Sequence, residues 1–121
     1  MGVRIAFIAA LLLTGCENVG IAPNPAGAEA AARGRVAAER LGCGACHVVP
    51  GIWPAGTSGP SLENFRDRAA IAGRYANRPD RLAEFLLHPS ETAMPRQPMS
   101  ARDAADIAAF LHSAPQSANA H

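Results

Sequence analysis

The feature that most constrains this chain is the short run LGCGACH at residues 41–47, which holds two of the three cysteines. Cys43 and Cys46 are three positions apart, and His47 follows directly. On a helical turn, positions i, i+3 and i+4 lie on the same side. The run therefore predicts a cluster of two thiols and one imidazole, with a fold arranged around whatever that cluster binds.

The composition predicts that a bound group completes the core of this domain. A chain of 121 residues is long enough for one domain with a modest core. Much of its 49% apolar fraction is alanine, and it has only four Phe, one Trp and one Tyr. Such chains often need a disulfide, a metal or a cofactor. The formal charge of +1 is spread along the chain, which gives no support for nucleic-acid binding.

The Cys-x-x-Cys-His spacing is typical of a c-type haem attachment site. Two thiols on one turn can each add to a vinyl group of the haem, giving two thioethers, and the next residue carries its imidazole to the iron. Three alternatives remain open: a thioredoxin-like redox pair, half of a zinc site, and a plain disulfide. The histidine directly after the second cysteine favours haem.

The amino terminus has the pattern of an export signal. A basic start, MGVR, precedes an apolar run at residues 5–13. That run is too short to span a bilayer, which takes about 20 residues, but it suits a secretory signal. Its end, Leu-Thr-Gly-Cys16, resembles the lipobox of bacterial lipoproteins. We expect lipidation of Cys16 and a membrane-anchored protein facing the periplasm or cell exterior; the alternative is an ordinary secretory signal cleaved elsewhere.

Composition shifts divide the chain into four parts. We expect a signal peptide at residues 1–15, a flexible tether at 16–29, a folded domain at 30–114 and a disordered tail at 115–121. The tether is rich in Pro, Gly, Ala and Asn and has no apolar period.

Four helical segments are expected in the folded domain, and no stretch alternates convincingly as a strand. They are residues 28–41, a short segment at 62–70, one that begins near Pro79 and stops before Pro89, and one capped by Ser100 with Asp103 completing a capping box. The long Gly- and Pro-rich segment at 50–60 is unusual in so small a domain unless it wraps something. Gly34 and Ala38 would permit a close crossing with the last helix near Phe110.

Taken together, these motifs resemble those of the class I monohaem c-type cytochromes of bacteria. The matching features are "GCGACHVVPGI", Gly59-Pro60, the segment near Leu82, Met94-Pro95 and "SARDAADIAAFL", in the family's order. The resemblance covers residues 30–113. It implies an all-α cytochrome c fold of three to four short helices around one haem c, attached through Cys43 and Cys46 with His47 on the iron.

The resemblance also implies a second iron ligand. Met94, followed by proline as in the family, is the expected residue, and Met99 in the same loop is the competitor. A thioether is soft and neutral, so it raises the reduction potential relative to a second histidine. We expect His88 to be a helix-end residue. His112 and His121 are expected to be exposed.

Further haem contacts follow from the same resemblance. The backbone carbonyl of Pro60 is expected to accept the Nδ1 proton of His47 and fix its tautomer. Trp53, Arg74 and Tyr75 are candidates to bind the haem propionates. The expected pocket and core residues are Val48, Ile52, Leu62, Leu82, Phe85, Leu86, Ile107 and Leu111.

The implied function is one-electron transfer without enzymatic catalysis, because two axial ligands leave no place for a substrate. Expected partners are a quinol-oxidising complex, a terminal oxidase or a dehydrogenase, and the membrane through the lipid anchor. We expect a carrier on the terminal-oxidase side of a respiratory chain. The alternatives are a haem c subunit fixed in a periplasmic dehydrogenase or oxidase complex, and a haem-based ligand sensor.

Overall fold

The computed structural model describes residues 25–113, and within them the fold is mostly helical. The expected all-α cytochrome c fold is confirmed. The predicted signal peptide, the lipidation site Cys16, most of the tether, the tail and His121 lie outside the described residues. The elements are α1 (Pro25–Arg40), a 3₁₀ turn (Cys43–Ala45), a second 3₁₀ turn (Phe65–Asp67), β1 (Ala70–Ile71), β2 (Tyr75–Ala76), α2 (Pro79–Leu87) and α3 (Ala101–Leu111).

Helix α3 begins where the sequence predicts. Ser100 Oγ accepts a hydrogen bond from the backbone N–H of Asp103 at 3.0 Å, and Asp103 Oδ2 accepts one from the N–H of Ser100 at 3.0 Å. This reciprocal capping box satisfies two backbone donors that the first turn leaves unpaired. One face of the helix then buries the predicted apolar positions Ala104, Ile107, Ala108 and Leu111.

Helices α1 and α3 cross closely because small residues line their contact. Ala38 is buried, and a Cβ atom added at Gly34 would overlap the backbone carbonyl of Asp106. The predicted crossing is therefore present, about one helical turn before Phe110. Beside it, Arg33 donates two hydrogen bonds to Asp106, at 2.8 and 3.0 Å. The crossing places the end of α1, and so the cysteine turn that follows, at a defined position relative to α3.

Two predicted segments differ in extent. Helix α1 begins at Pro25 rather than residue 28, since proline in the first turn loses no hydrogen bond. The segment predicted at 62–70 is only the 3₁₀ turn Phe65–Asp67. Asn64 has a left-handed backbone with φ 51°, and Arg68 is extended with ψ 145°, so the helix ends on both sides. Helix α2 runs from Pro79 to Leu87, as expected.

A short antiparallel pair of strands is present that the sequence does not predict. Ala70 lies opposite Ala76 and Ile71 opposite Tyr75, around a tight turn. Such short strands offer no alternating pattern long enough to detect. The pair matters to the fold because Ile71 is among its most deeply buried side chains.

One hydrophobic cluster joins all three helices and the hairpin. Five of the predicted core residues are buried in it: Ile52, Leu82, Leu86, Ile107 and Leu111. Leu62 and Phe85 pack against its edge, and Val48 is half-buried. No helix within residues 25–113 is both long enough and apolar enough to span a lipid bilayer.

Candidate functional site

The cysteines and His47 lie on one compact turn that follows α1. Gly42, with a left-handed φ of 73°, ends the helix and redirects the chain. The backbone N–H of His47 then donates to the carbonyl of Cys43 at 3.0 Å, which closes the turn. Cys43 and Cys46 are free thiols. The arrangement therefore offers two unpaired thiols and an imidazole within a single turn, as the sequence predicts.

The two thiols differ in their surroundings. Cys43 is half-buried against the core, and Cys46 is exposed. Burial raises the pKa of the Cys43 thiol above its ordinary value, so the group is a neutral thiol at pH 7. Between them, Gly44 is buried, and a Cβ atom there would overlap the carbonyl of Pro54.

His47 is oriented by the chain that follows the turn. Its Nδ1–H donates to the backbone carbonyl of Pro60 at 2.7 Å. A carbonyl can only accept, so in the neutral ring the proton lies on Nδ1 and Nε2 keeps its lone pair, the form that binds metals. A Cβ atom at Gly59 would lie 2.6 Å from Nδ1 and 3.0 Å from Nε2, so only glycine fits against the ring.

Three backbone hydrogen bonds fasten residues 56–62 along the cysteine turn; we call this segment the strap. The N–H groups of Gly56, Gly59 and Leu62 donate to the carbonyls of Gly44, Cys46 and Val48, at 2.8, 2.7 and 2.7 Å. Because the strap is held on both sides of Pro60, the carbonyl that orients His47 is itself fixed.

Arg68 is a residue of the site that the sequence does not predict, and its guanidinium donates to the carbonyl of Ser61. It also lies 5.4 Å from the centre of the Phe65 ring. Arg68 thus supports the strap next to Pro60. No local pattern could reveal it, because the contact depends on how the second 3₁₀ turn folds back.

The loop between α2 and α3 carries both methionines that could be the second iron ligand. Thr92 Oγ1 donates to the carbonyl of Pro89 at 2.8 Å and accepts from the N–H of Met94 at 3.3 Å. Met94 and Met99 are both half-buried and pack against the hydrophobic cluster. Burial does not separate them, so Met94 as the ligand stays a prediction.

The three residues expected near the propionates lie at the surface. Trp53 is 85% exposed and Tyr75 44% exposed, with the Tyr75 ring 6.4 Å from that of Phe85. Arg74 forms an ion pair with Glu91 across the hairpin and the methionine loop. Trp53 lies close to the cysteine turn, because the carbonyl of its neighbour Pro54 packs against Gly44, whereas Arg74 and Tyr75 contact the methionine loop and α2. The haem contacts of all three residues stay predictions.

His112 is not exposed, contrary to expectation. It is half-buried, its Nδ1 lies 2.8 Å from the carbonyl of Ala108, and its Nε2 lies 2.9 Å from Asn77 Oδ1. Its ring packs edge-on against Phe65 at 5.6 Å. His112 is thus a packed residue joining α3 to the loops, whereas His88 is exposed at the end of α2. No cluster of three His, Cys, Asp or Glu side chains suited to a metal ion occurs within residues 25–113.

Two free thiols beside an imidazole oriented through its Nδ1 are the groups that a c-type haem attachment site requires. Residues 31–115 match the family model for Cytochrome c, so the chain belongs to the cytochrome c family. Searches of the curated proteins and of the solved structures returned no significant match.

Family membership establishes the cofactor and the general activity. The protein is an electron-transfer haem protein, and its haem c is attached covalently through two thioethers, for which Cys43 and Cys46 are present. The site fits this group, since the thiols are unpaired and the glycine at position 59 clears the face of His47. When bound, the haem iron takes up and releases one electron, and the chain holds its ligands still during that change.

Proposed function

We propose that this protein is a lipid-anchored carrier that passes single electrons toward a terminal oxidase on the periplasmic face of a membrane. The observation that carries the proposal is the 2.7 Å hydrogen bond from His47 to Pro60. It fixes one tautomer of the ring and so holds the expected iron ligand in one orientation against the strap. A ligand that does not move during reduction keeps the reorganisation energy low, as an electron carrier requires.

Met94 is the proposed second ligand. Its thioether is half-buried, and the Thr92 side chain fixes the backbone just before it. A neutral sulfur ligand stabilises reduced iron and raises the potential, which suits delivery to an oxidase. If His47 and Met94 both held the iron, a substrate would have no place on it, which would favour a carrier over an enzyme.

The choice of methionine can be tested on the oxidised protein by its near-infrared sulfur-to-iron absorption band. We expect Met94→Ala to abolish the band and Met99→Ala to retain it. Loss of the band in the Met99 variant alone would assign the ligand to Met99. Tight carbon monoxide binding to the reduced wild-type protein at neutral pH would instead indicate a ligand-binding haem and contradict the carrier role.

The proposed anchor is lipid on Cys16, supported by the apolar run and the lipobox-like residues before it. We expect the protein to incorporate an alkyne-tagged fatty acid in a bacterial host with lipoprotein processing. Cys16→Ser should lose the label, and Cys46→Ser should retain it. A label that persists in the Cys16 variant would contradict the anchor.

The place in the electron path can be tested in membranes that contain the protein. Adding quinol should reduce the haem, and oxygen should reoxidise it in a cyanide-sensitive manner. Reduction by a dehydrogenase substrate but not by quinol, with the protein copurifying in a stable complex, would favour the fixed-subunit alternative.

A further inference from the structure

We propose that this protein meets its redox partner through an uncharged, apolar surface centred on Trp53, which accepts a partner protein whose own docking face is uncharged. The surface consists of Ala45, Cys46, Trp53, Pro54 and Ala55, and we call it the neutral patch. The inference rests on the proposed function, because it concerns the partner of the same haem site.

The patch is a built surface and not a loose loop. The carbonyl of Pro54 lies against Gly44, where a Cβ atom would overlap it, and the carbonyl of Ala45 lies equally close to Gly56. The N–H of Gly56 also donates to the carbonyl of Gly44 at 2.8 Å. Residues 53–56 are thereby pressed against the cysteine turn, which places Trp53 next to the haem attachment site.

No contact within the described residues accounts for a tryptophan at position 53. It is 85% exposed, the most exposed of the large hydrophobic residues, and no hydrogen bond or ring contact joins it to residues 25–113. Leaving an indole in water is unfavourable, and tryptophan is among the residues that contribute most to protein interfaces. Its place beside an exposed cysteine of the haem site indicates contact with a partner.

The charge distribution selects the chemistry of that partner. Residues 41–62 contain no Asp, Glu, Lys or Arg. Arg35 reaches this segment at Gly51, where its guanidinium donates to the backbone carbonyl, and it lies 3.8 Å from Glu39. Arg68 and Glu63 reach it at Ser61, and neither Gly51 nor Ser61 belongs to the patch. A partner that recognises its target by salt bridges would find no charge on the patch itself, so the complementary face is an uncharged one.

Elsewhere, many of the charges neutralise one another in pairs. Within the described residues these ion pairs include Arg33–Asp106, Arg40–Asp103, Arg66–Asp67, Arg74–Glu91, Arg78–Asp80, Arg81–Glu84 and Arg102–Asp106. Such pairing leaves little net field to steer a charged partner, which can otherwise change association rates by about 10–1,000-fold. Association should therefore depend weakly on salt.

Electron self-exchange between two copies of the lipidated holoprotein in zwitterionic detergent tests the proposal. A second copy presents the same uncharged surface, and the second-order rate follows from NMR line broadening in mixtures of oxidised and reduced protein. Self-exchange has no driving force, so a shift of the potential adds no thermodynamic term. We expect the wild-type rate to change less than about twofold between low and physiological salt.

Two matched pairs of variants sharpen the test. Trp53→Ala should lower the rate about tenfold, whereas Val36→Ala, which removes an exposed apolar side chain on α1, should leave it unchanged. Ala55→Asp should lower the rate at low salt, with recovery on adding salt, because the two copies then repel each other. Ala105→Asp, an exposed position on α3, should have little effect.

Each other outcome overturns the proposal. An unchanged self-exchange rate in Trp53→Ala would show that the indole takes no part in docking. If the reduction potential of that variant shifts while its rate is unchanged, the indole is assigned to a haem propionate instead. Equal effects of Ala55→Asp and Ala105→Asp would show that the patch is not the contact. If the wild-type haem is reversibly reduced but its self-exchange rate depends strongly on salt, the neutral patch is contradicted and the proposed function is not. If the haem shows no reversible reduction potential, the proposed function is contradicted as well.

Discussion

The crossing of α1 and α3 and the strap beside the cysteine turn are stabilised in different ways. The crossing consists of regular helices that bury Ala38, Ala104 and Ile107 and carry a bidentate ion pair. The strap, residues 56–62, has none of its side chains fully buried and is attached by three backbone hydrogen bonds. The polypeptide alone supplies the packing at the crossing, whereas the strap buries little apolar area of its own and is the region that a bound haem would stabilise more.

The largest effect should come from removing the haem. In Cys43→Ala/Cys46→Ala, we expect amide hydrogen exchange to accelerate throughout, and more in residues 44–62 than in α1 and α3, because the strap has no fully buried side chain to hold it when the haem is absent. Exchange measured by mass spectrometry on holoprotein and variant gives the comparison. Equal loss of protection in both regions would break the distinction drawn above.

Gly34→Ala should be the most damaging single change at the crossing. Its Cβ atom would overlap the Asp106 carbonyl, and backbone atoms cannot yield without separating the helices. We expect a loss of about 3 kcal/mol or more in the free energy of unfolding, measured by denaturant titration of the holoprotein. Gly27→Ala, at an exposed position of α1, is the control and should be neutral or slightly stabilising. Similar stability of the two variants would show that the helices do not cross as closely as described.

Gly59→Ala makes the corresponding test on the strap. The added methyl group would lie 2.6 Å from His47 Nδ1, so the ring or the strap must shift. We expect a changed haem spectrum and a shifted reduction potential in whatever protein acquires haem, with a loss of stability of about 1–3 kcal/mol. Ser58→Ala, an exposed neighbour, should retain the wild-type potential. A wild-type potential in Gly59→Ala would contradict the contact.

Ser100→Ala should cost less. It removes the side chain that caps α3 and leaves the N–H of Asp103 without its partner. The expected loss is about 1 kcal/mol in the free energy of unfolding, with the haem potential unchanged. Ser90→Ala, an exposed serine outside the helix, is a suitable control. A shift of the potential would mean that the end of α3 influences the haem more directly than the cap suggests.

The smallest effect concerns acid. The hydrogen bonds from Arg33 hold the pKa of Asp106 below its ordinary value. As the pH falls, the Asp106 carboxyl therefore takes up its proton earlier in the unfolded chain than in the folded one. The contribution of this carboxylate to the free energy of unfolding is present above about pH 4 and is lost as pH falls through the folded pKa. Asp106→Asn should reduce the pH dependence of the free energy of unfolding, which is measured from unfolding curves between pH 5 and pH 2. An unchanged slope of the free energy of unfolding against pH would show that the Arg33–Asp106 ion pair does not stabilise the fold.

Local chemistry made part of this structure predictable. The Ser100–Asp103 capping box and the proline at the start of α2 act within a few residues, so both helices were placed correctly. Likewise, the Cys-x-x-Cys-His run predicts its own turn. The carbonyl of Pro60 was located only through family resemblance, since no local rule brings it to within 2.7 Å of His47.

The errors arose where distant contacts decide the local backbone. Asn64 and Ala72 adopt left-handed conformations that non-glycine residues rarely choose, which shortens the predicted second helix and creates the unexpected hairpin. His112 is half-buried because Phe65 and Asn77 pack against it, and both are remote in sequence. The ion pair of Arg74 with Glu91 on a neighbouring loop is likewise a distant contact that no local pattern predicts, and the propionate contact of Arg74 stays a prediction.

The most direct test of the central claim is the mass of one peptide. Trypsin cleaves after Arg40 and Arg66, so residues 41–66 form a single peptide that contains both cysteines of the turn. In protein from a host that matures c-type haem, we predict that this peptide carries one haem and that no other peptide does. An unmodified peptide with two free thiols would contradict the account.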